Sequence, residues 1–192
     1  ELVRRFVVAV DNVAEGKSPR EHVAPLRIEG PFRTVELEDR LAIAPTSFER
    51  YDLVTKVFAS LDIDATAALY RTLRPLIDEA YTELGYPQAR FDDTLVRAFA
   101  ELLRAPVVVG EAELVPRIIS QAYLDPELED LSGAQKQLLR LGPANASRVQ
   151  RKLREFALAL GMSESALPRT RFYRAPGPGE GRHTLEDEPT PD

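Results

Sequence analysis

The segment LLRLGPANASRVQRKL, residues 138–153, decides how this chain is read. A run at helical spacing stops at Gly142. Pro143 then starts a second run whose Ala146, Val149, Leu153, Phe156 and Leu160 share one face, and Gly161 ends it. Proline fits the first position of a helix because its missing N–H would have had no partner there. The segment therefore predicts two helices, 132–141 and 143–160, that meet at a sharp corner.

The same outline serves a helix-hairpin-helix that grips a nucleic-acid phosphate through the N–H groups of a tight turn and a helix N-terminus. Gly142 and Ala144 would supply the N–H groups, and Arg148, Arg151 and Lys152 the positive charge. Residues 132–154 hold six basic residues and no acidic one. Taking those +6 from the net −6 leaves −12 for the rest of the chain, so the asymmetry is large. Two facts favour a plain corner. Arg140 occupies the place where the phosphate motif sets a glycine, and any abrupt helix corner selects Pro143.

Outward from the elbow the chain reads as helices. Val3, Phe6, Val7, Val10 and Val13-Ala14 form an apolar stripe that stops at Gly16. Residues 17–31, with Pro19, Pro25, Gly30 and Pro31, read as loop. FRTVEL and LAIA, on either side of Glu38-Asp39, predict one small hairpin by their alternation. Thr46 and Glu49 have the spacing of a capping box ahead of Leu53, Val54, Val57, Phe58 and Leu61. Asp64 caps the next expected helix, whose stripe is Leu69, Leu73, Leu76, Ile77, Ala80, Tyr81 and Leu84, with a kink expected at Pro75. Asp92 opens a helix with Leu95, Phe99, Leu102 and Leu103 facing inward. The Val107–Val109 run reads as extended, 114–123 as strand or helix, and Asp125-Pro126 as a short helical turn.

The expected fold is mainly α: a single-domain helical bundle over residues 1–160, with one small β-hairpin. Residues 161–192 carry Pro168, Pro176, Pro178, Pro189 and Pro191, four glycines and a closing acidic run. That composition buries too little apolar surface to offset the entropy of ordering, so this stretch reads as a disordered tail. The chain opens on Glu1 already inside a helical pattern, from which we expect an upstream part with any anchor or export signal.

Whole classes of chemistry are excluded by composition. Cysteine is absent, which removes disulfides, thiolate catalysis and sulfur-bound metals. There is no Walker loop, dinucleotide fingerprint or nucleophile elbow. The two histidines, His22 and His183, lie far apart without metal-ligand spacing, so no metal, cofactor or catalytic residue is assigned. The paired carboxylates Asp62/Asp64, Asp92/Asp93 and the 125–130 group sit at helix starts, where they cap N–H groups and complement the dipole. Tyr51, Tyr70 and Tyr123 with Arg71, Arg74 and Arg117 remain candidates for a pocket that takes a small anionic ligand or performs hydrolysis. Tyrosines at helical spacing also serve as core edges with a wet hydroxyl.

Three stretches carry a family resemblance: PTSFERYD at 45–52, LYRTLRPLIDEAYTELGYPQARFDDTLVRAFAELLRAP at 69–106, and YLDPELEDLSGAQKQLLRLGPANASRVQRKL at 123–153. They resemble an uncharacterised bacterial envelope-protein family, domain of unknown function 3014. The resemblance implies an N-terminal inner-membrane anchor, a Pro-rich linker and a periplasmic placement, with the cytoplasm as the alternative. It supplies no catalytic residues. It also favours the plain corner, because an exported domain would not normally meet DNA. The expected function is a non-enzymatic interaction module of the envelope with a protein partner, touching the membrane only through an anchor this chain lacks. Nucleic-acid binding at the elbow and an anionic-ligand pocket are the alternatives.

Overall fold

The computed structural model describes residues 1–23, 32–37, 40–116 and 121–176. Among them are eight α-helices: α1 (Leu2–Ala14), α2 (Pro45–Glu49), α3 (Asp52–Ala59), α4 (Ile63–Glu83), α5 (Phe91–Arg104), α6 (Pro126–Glu129), α7 (Gly133–Leu139) and α8 (Pro143–Ala159). Six short strands accompany them: β1 (Thr34–Leu37), β2 (Arg40–Ile43), β3 (Val107–Val109), β4 (Glu113–Pro116), β5 (Gln121–Tyr123) and β6 (Phe172–Arg174).

The mainly α expectation holds, but a single hairpin understates the β-structure. β1 and β2 form the expected hairpin, and β4 then adds to β2, with Leu41 opposite Leu114. β5 completes an antiparallel sheet of order β1-β2-β4-β5. β3 pairs in parallel with β6, Val107 opposite Phe172. β4 and β5 fall, but for Glu113, in the stretch 114–123 that reads as strand or helix, and β6 in the expected tail. Strands this short carry few alternations, and β4 and β6 find their partners far along the chain. The β6 pairing also corrects the tail. Residues 161–176 belong to the folded domain: Leu167 is buried in the main core, Arg154 bonds the Pro168 carbonyl, and the Tyr173 hydroxyl donates to Asp125. The remainder of the expected tail, 177–192, lies outside the described residues.

Two packed cores share α8. The larger gathers Val7, Tyr70, Ile77, Tyr81, Phe91, Leu95, Phe99 and Leu103 from α1, α4 and α5, with Ala157 of α8. Phe91 and Leu103 are essentially sealed from solvent, and side chains of this kind each contribute about 1.5–3 kcal/mol by leaving water. The second core holds Tyr51, Ala105, Leu128, Leu138, Leu139, Leu141 and Ala146. Buried Gln150 stitches them together: its Nε2 donates to the Leu102 and Ala105 carbonyls at 3.0 and 2.8 Å, closing the end of α5.

Several helix starts differ from the sequence reading. Pro45 takes the first helical position behind Ala44, so the Thr46/Glu49 capping box does not form. Asp62, not Asp64, caps α4, accepting from Ala65 N at 2.8 Å. α5 begins at Phe91 behind Arg90, without a side-chain cap. α4 runs through Pro75, which lies on its exposed side. The largest correction concerns the apolar stripes. Leu53, Val57, Leu61, Leu69, Leu76 and Leu84 were expected to face inward, and all are exposed. Tyr70, Ile77, Ala80 and Tyr81 make the buried face of α4 instead.

Candidate functional site

The elbow is built around a buried asparagine. Gly142 precedes α8 with φ 82° and ψ 162°, a conformation open to glycine and costly for any residue with a Cβ. Its N–H is already donated to the Leu139 carbonyl at 2.9 Å. The Phe48 ring of α2 lies directly against it, so that a Cβ at Gly142 would come within 2.6 Å of Phe48 Cγ. One turn into α8, Asn145 is 2% exposed. Its Nδ2 donates to Asp52 Oδ1 at 2.9 Å, to the Leu141 carbonyl at 3.1 Å and to the Phe48 carbonyl at 3.3 Å. Its Oδ1 lies 2.7 Å from Thr55 Oγ1 and accepts from Arg148 Nη1. The Asn145 amide, and after it Lys56, hold the Asp52 carboxyl below its ordinary value.

This geometry engages three of the five residues expected to face a phosphate. Gly142 N–H is spent in the turn, and Arg148 Nη1 is held by Asn145 Oδ1. Lys152 bonds the Leu61 carbonyl at 3.1 Å and Glu155 at 2.8 Å. Lys136 pairs with Glu129 at 3.0 Å, and Arg154 with Glu164 at 2.7 Å. Only Ala144 and Arg151, of the five phosphate candidates, stay open at the surface. Of the six basic residues of 132–154, three are paired with carboxylates, Lys136 with Glu129, Lys152 with Glu155 and Arg154 with Glu164.

The ligand candidates separate into two places. Tyr51 lies in the second core, and Tyr123 packs against the same core. Burial, above all, pushes the Tyr123 hydroxyl up to about 12. Arg117 lies outside the described residues. Tyr70, Arg71 and Arg74 do converge, on a half-open recess of about 200 Å³ between α4, the start of α5 and the end of α8. There the Tyr70 hydroxyl donates to Asp92 Oδ1 at 2.7 Å, while Arg74 and Arg90 reach Oδ2, Arg90 at 3.4 Å. Burial first, then the Asp92 bond, raise the Tyr70 hydroxyl above its ordinary range, so it stays a protonated donor. Asp92 was read from sequence only as a helix-start carboxylate. Its role as the hub of this recess depends on α4 and α5 lying side by side.

A second titratable group escaped the sequence reading. Asp11 follows Val7 by one helical turn, inside the apolar stripe of α1, and its Oδ1 is buried without a hydrogen-bond partner. Burial, then the charge of Glu15, raise its carboxyl above 3.8, against the opposing pull of Arg97, Lys17 and the Tyr86 hydroxyl. A folded-state value above the unfolded one makes the domain most stable below about 3.8, and that stability is lost as pH rises through the folded-state value. Asp11→Asn is therefore expected to raise the melting temperature at pH 7 and to leave it unchanged at pH 3. Equal effects at both pH values would contradict the burial argument.

A family model described as protein of unknown function, DUF3014, matches residues 2–157. The chain belongs to that family. No curated protein and no solved structure matches it. The DUF3014 match takes in the whole elbow, together with Tyr70, Arg71, Arg74 and Asp92, and ends inside α8. Among the described residues of this DUF3014 chain, no group of three or more His, Asp or Glu is placed to hold a metal ion. No described helix is long and apolar enough to cross a membrane.

Proposed function

We propose that the domain is a non-enzymatic interaction module that docks a partner protein along the outward face of α4. The observation that carries this reading is an uncharged strip. Ala65, Ala68, Leu69, Thr72, Pro75 and Leu76 are all exposed, with Leu69 at 57% and Leu76 at 53%. From Ala65 to Leu76 the strip covers about 16 Å of helix. Exposed apolar residues scattered singly are ordinary, but a continuous row along one helix is the form a helix-docking face takes. Leu53 and Val57 of α3, one turn apart, are also exposed.

The charges at the ends of the strip define the partner. Asp62 and Asp64 stand at one end, and Asp78, Glu79 and Glu83 at the other. Arg74 and Arg4 answer only Asp78 and Glu83. A second copy, laid in either direction, sets acidic ends against acidic ends. An amphipathic helix with an apolar face and basic flanks meets both the strip and its ends.

The test uses a synthetic helix with leucines on one face and lysines on the other, titrated at 0.15 M salt and followed by fluorescence anisotropy. Saturable binding is expected, weakened at least tenfold by Leu69→Ser/Leu76→Ser, which leaves every charge in place. Equal affinity for the variant would mean that net charge alone attracts the peptide, and the docking face would be abandoned. Placement at the bacterial envelope extends the proposal and is supported by the family resemblance. A hydrophobic segment encoded upstream of Glu1 is expected, and a plain cytosolic start just before it would remove that placement.

A further inference from the structure

The recess beside Tyr70 is separate from the α4 strip, and the cations at its rim are not equivalent. Arg74 is answered by Asp92 and by Asp78, and Arg90 by Asp92. Among the described residues Arg71 has no carboxylate partner. Its Nη2 donates to the Ala159 carbonyl at 2.6 Å, at the end of α8, which anchors the guanidinium while its other N–H groups stay available. The start of α5 lies on the same rim, where Asp92 and Asp93 offset its dipole, so the positive charge available to a ligand there is that of Arg71. The remaining wall is apolar, formed by Leu95, Val96, Leu160 and Met162.

We propose that this recess binds a small organic carboxylate carrying a short apolar group, with Arg71 as its anion anchor. A flat carboxylate matches the free edge of a guanidinium already held at one corner. Asp92 on the rim repels a dianion more than a monoanion, which favours a carboxylate over a phosphate. The apolar wall selects for a hydrocarbon portion. A half-open space of about 200 Å³ suits a small molecule with a short hydrocarbon portion. Tyr70 is committed to Asp92, and both oxygens of Asp92 are occupied, so the recess offers recognition without a free general base.

Met162 is the one methionine of the chain and lines the recess, so a methyl-labelled methionine gives a single resonance at the site. Hexanoate is expected to shift that resonance saturably, half-complete in the millimolar range or below. Arg71→Ala should weaken the effect at least tenfold, and Arg71→Lys should recover part of it. Arg71 is exposed, and neither substitution opens the core. Hexanol and hexylamine should produce no saturable shift. An unmoved resonance at 20 mM hexanoate, equal responses to hexanol and hexanoate, unchanged affinity in Arg71→Ala, or tighter binding of inorganic phosphate would each overturn the assignment.

Discussion

Gly142→Ala is expected to be the most damaging single substitution in the domain, lowering stability by about 4 kcal/mol. The cost has two separable sources. Backbone at φ 82° and ψ 162° costs an L-residue about 1–3 kcal/mol. The new methyl would also sit 2.6 Å from Phe48 Cγ and 2.8 Å from Phe48 Cβ, and forcing a packed ring aside costs roughly 1–3 kcal/mol more. At about 2–4 °C per kcal/mol for a chain of this size, the melting temperature should fall by about 8–16 °C. Phe48→Ala supplies the check. It removes the ring contacts but keeps the Cβ at 2.8 Å and the backbone strain, so Gly142→Ala should cost less in that background, by the ring's share alone. Strict additivity of the two substitutions, or an unchanged melting temperature for Gly142→Ala alone, would refute this account of the elbow.

The second large effect is expected at Asn145. Truncation to alanine leaves Thr55 Oγ1, Asp52 Oδ1, Arg148 and two backbone carbonyls without the partner they share. Unpaired buried polar groups cost about 1–3 kcal/mol each, but Asp52 and Arg148 retain access to water, so the net loss should be about 3 kcal/mol. The melting temperature should drop by roughly 6–12 °C. A chemical signature goes with it. Asn145 is the first cause of the low Asp52 value, so the Asp52 carboxyl in Asn145→Ala should titrate nearer its ordinary value. A lowered carboxyl stabilises the fold above the unfolded value of about 3.9, and that contribution disappears as pH falls through the folded-state value. The variant should therefore lose less stability at pH 2.5 than at pH 7. An Asp52 titration identical in wild type and variant would show that Asn145 does not hold it.

We read the elbow as architecture. Phe48 and Asn145 clamp α2 and α3 against the start of α8; Arg148 serves that clamp, and Lys152 and Arg154 pair with Glu155 and Glu164. The resemblance of 138–153 to a phosphate grip is real in the linear sequence. In the fold, three of its five candidate donors are engaged, Gly142 by the Leu139 carbonyl, Arg148 by Asn145 and Lys152 by Leu61 and Glu155, while Ala144 and Arg151 stay open. A phosphate would have to compete with partners that are already covalently tethered.

The candidate recess was half legible. Tyr70, Arg71 and Arg74 lie within one turn of α4, so their shared neighbourhood follows from helical spacing alone. Asp92 comes from α5, and Leu160 and Met162 from the segment that follows α8. Their arrival depends on how α5 and α8 cross α4, which no local pattern encodes. Tyr51 and Tyr123 carry the same chemistry in sequence and were equally eligible, and packing took them into the second core.

Local sequence established the helices, because apolar residues at three- and four-residue intervals need only their own segment to declare a period. It also established the corner, since Pro143 after Gly142 restricts the backbone whatever surrounds it, and the missing thiols exclude whole chemistries outright. Tertiary structure decided everything that depends on distant partners. The leucines of α3 and α4 show this best: spacing identifies an apolar stripe but cannot say on which side the rest of the molecule will lie. The pairing of β3 with β6, the partners of the basic residues in α8 and the carboxylate of the Tyr70 recess were settled the same way. Each is a contact between segments far apart in the chain, and its energy exists only once the fold has brought them together.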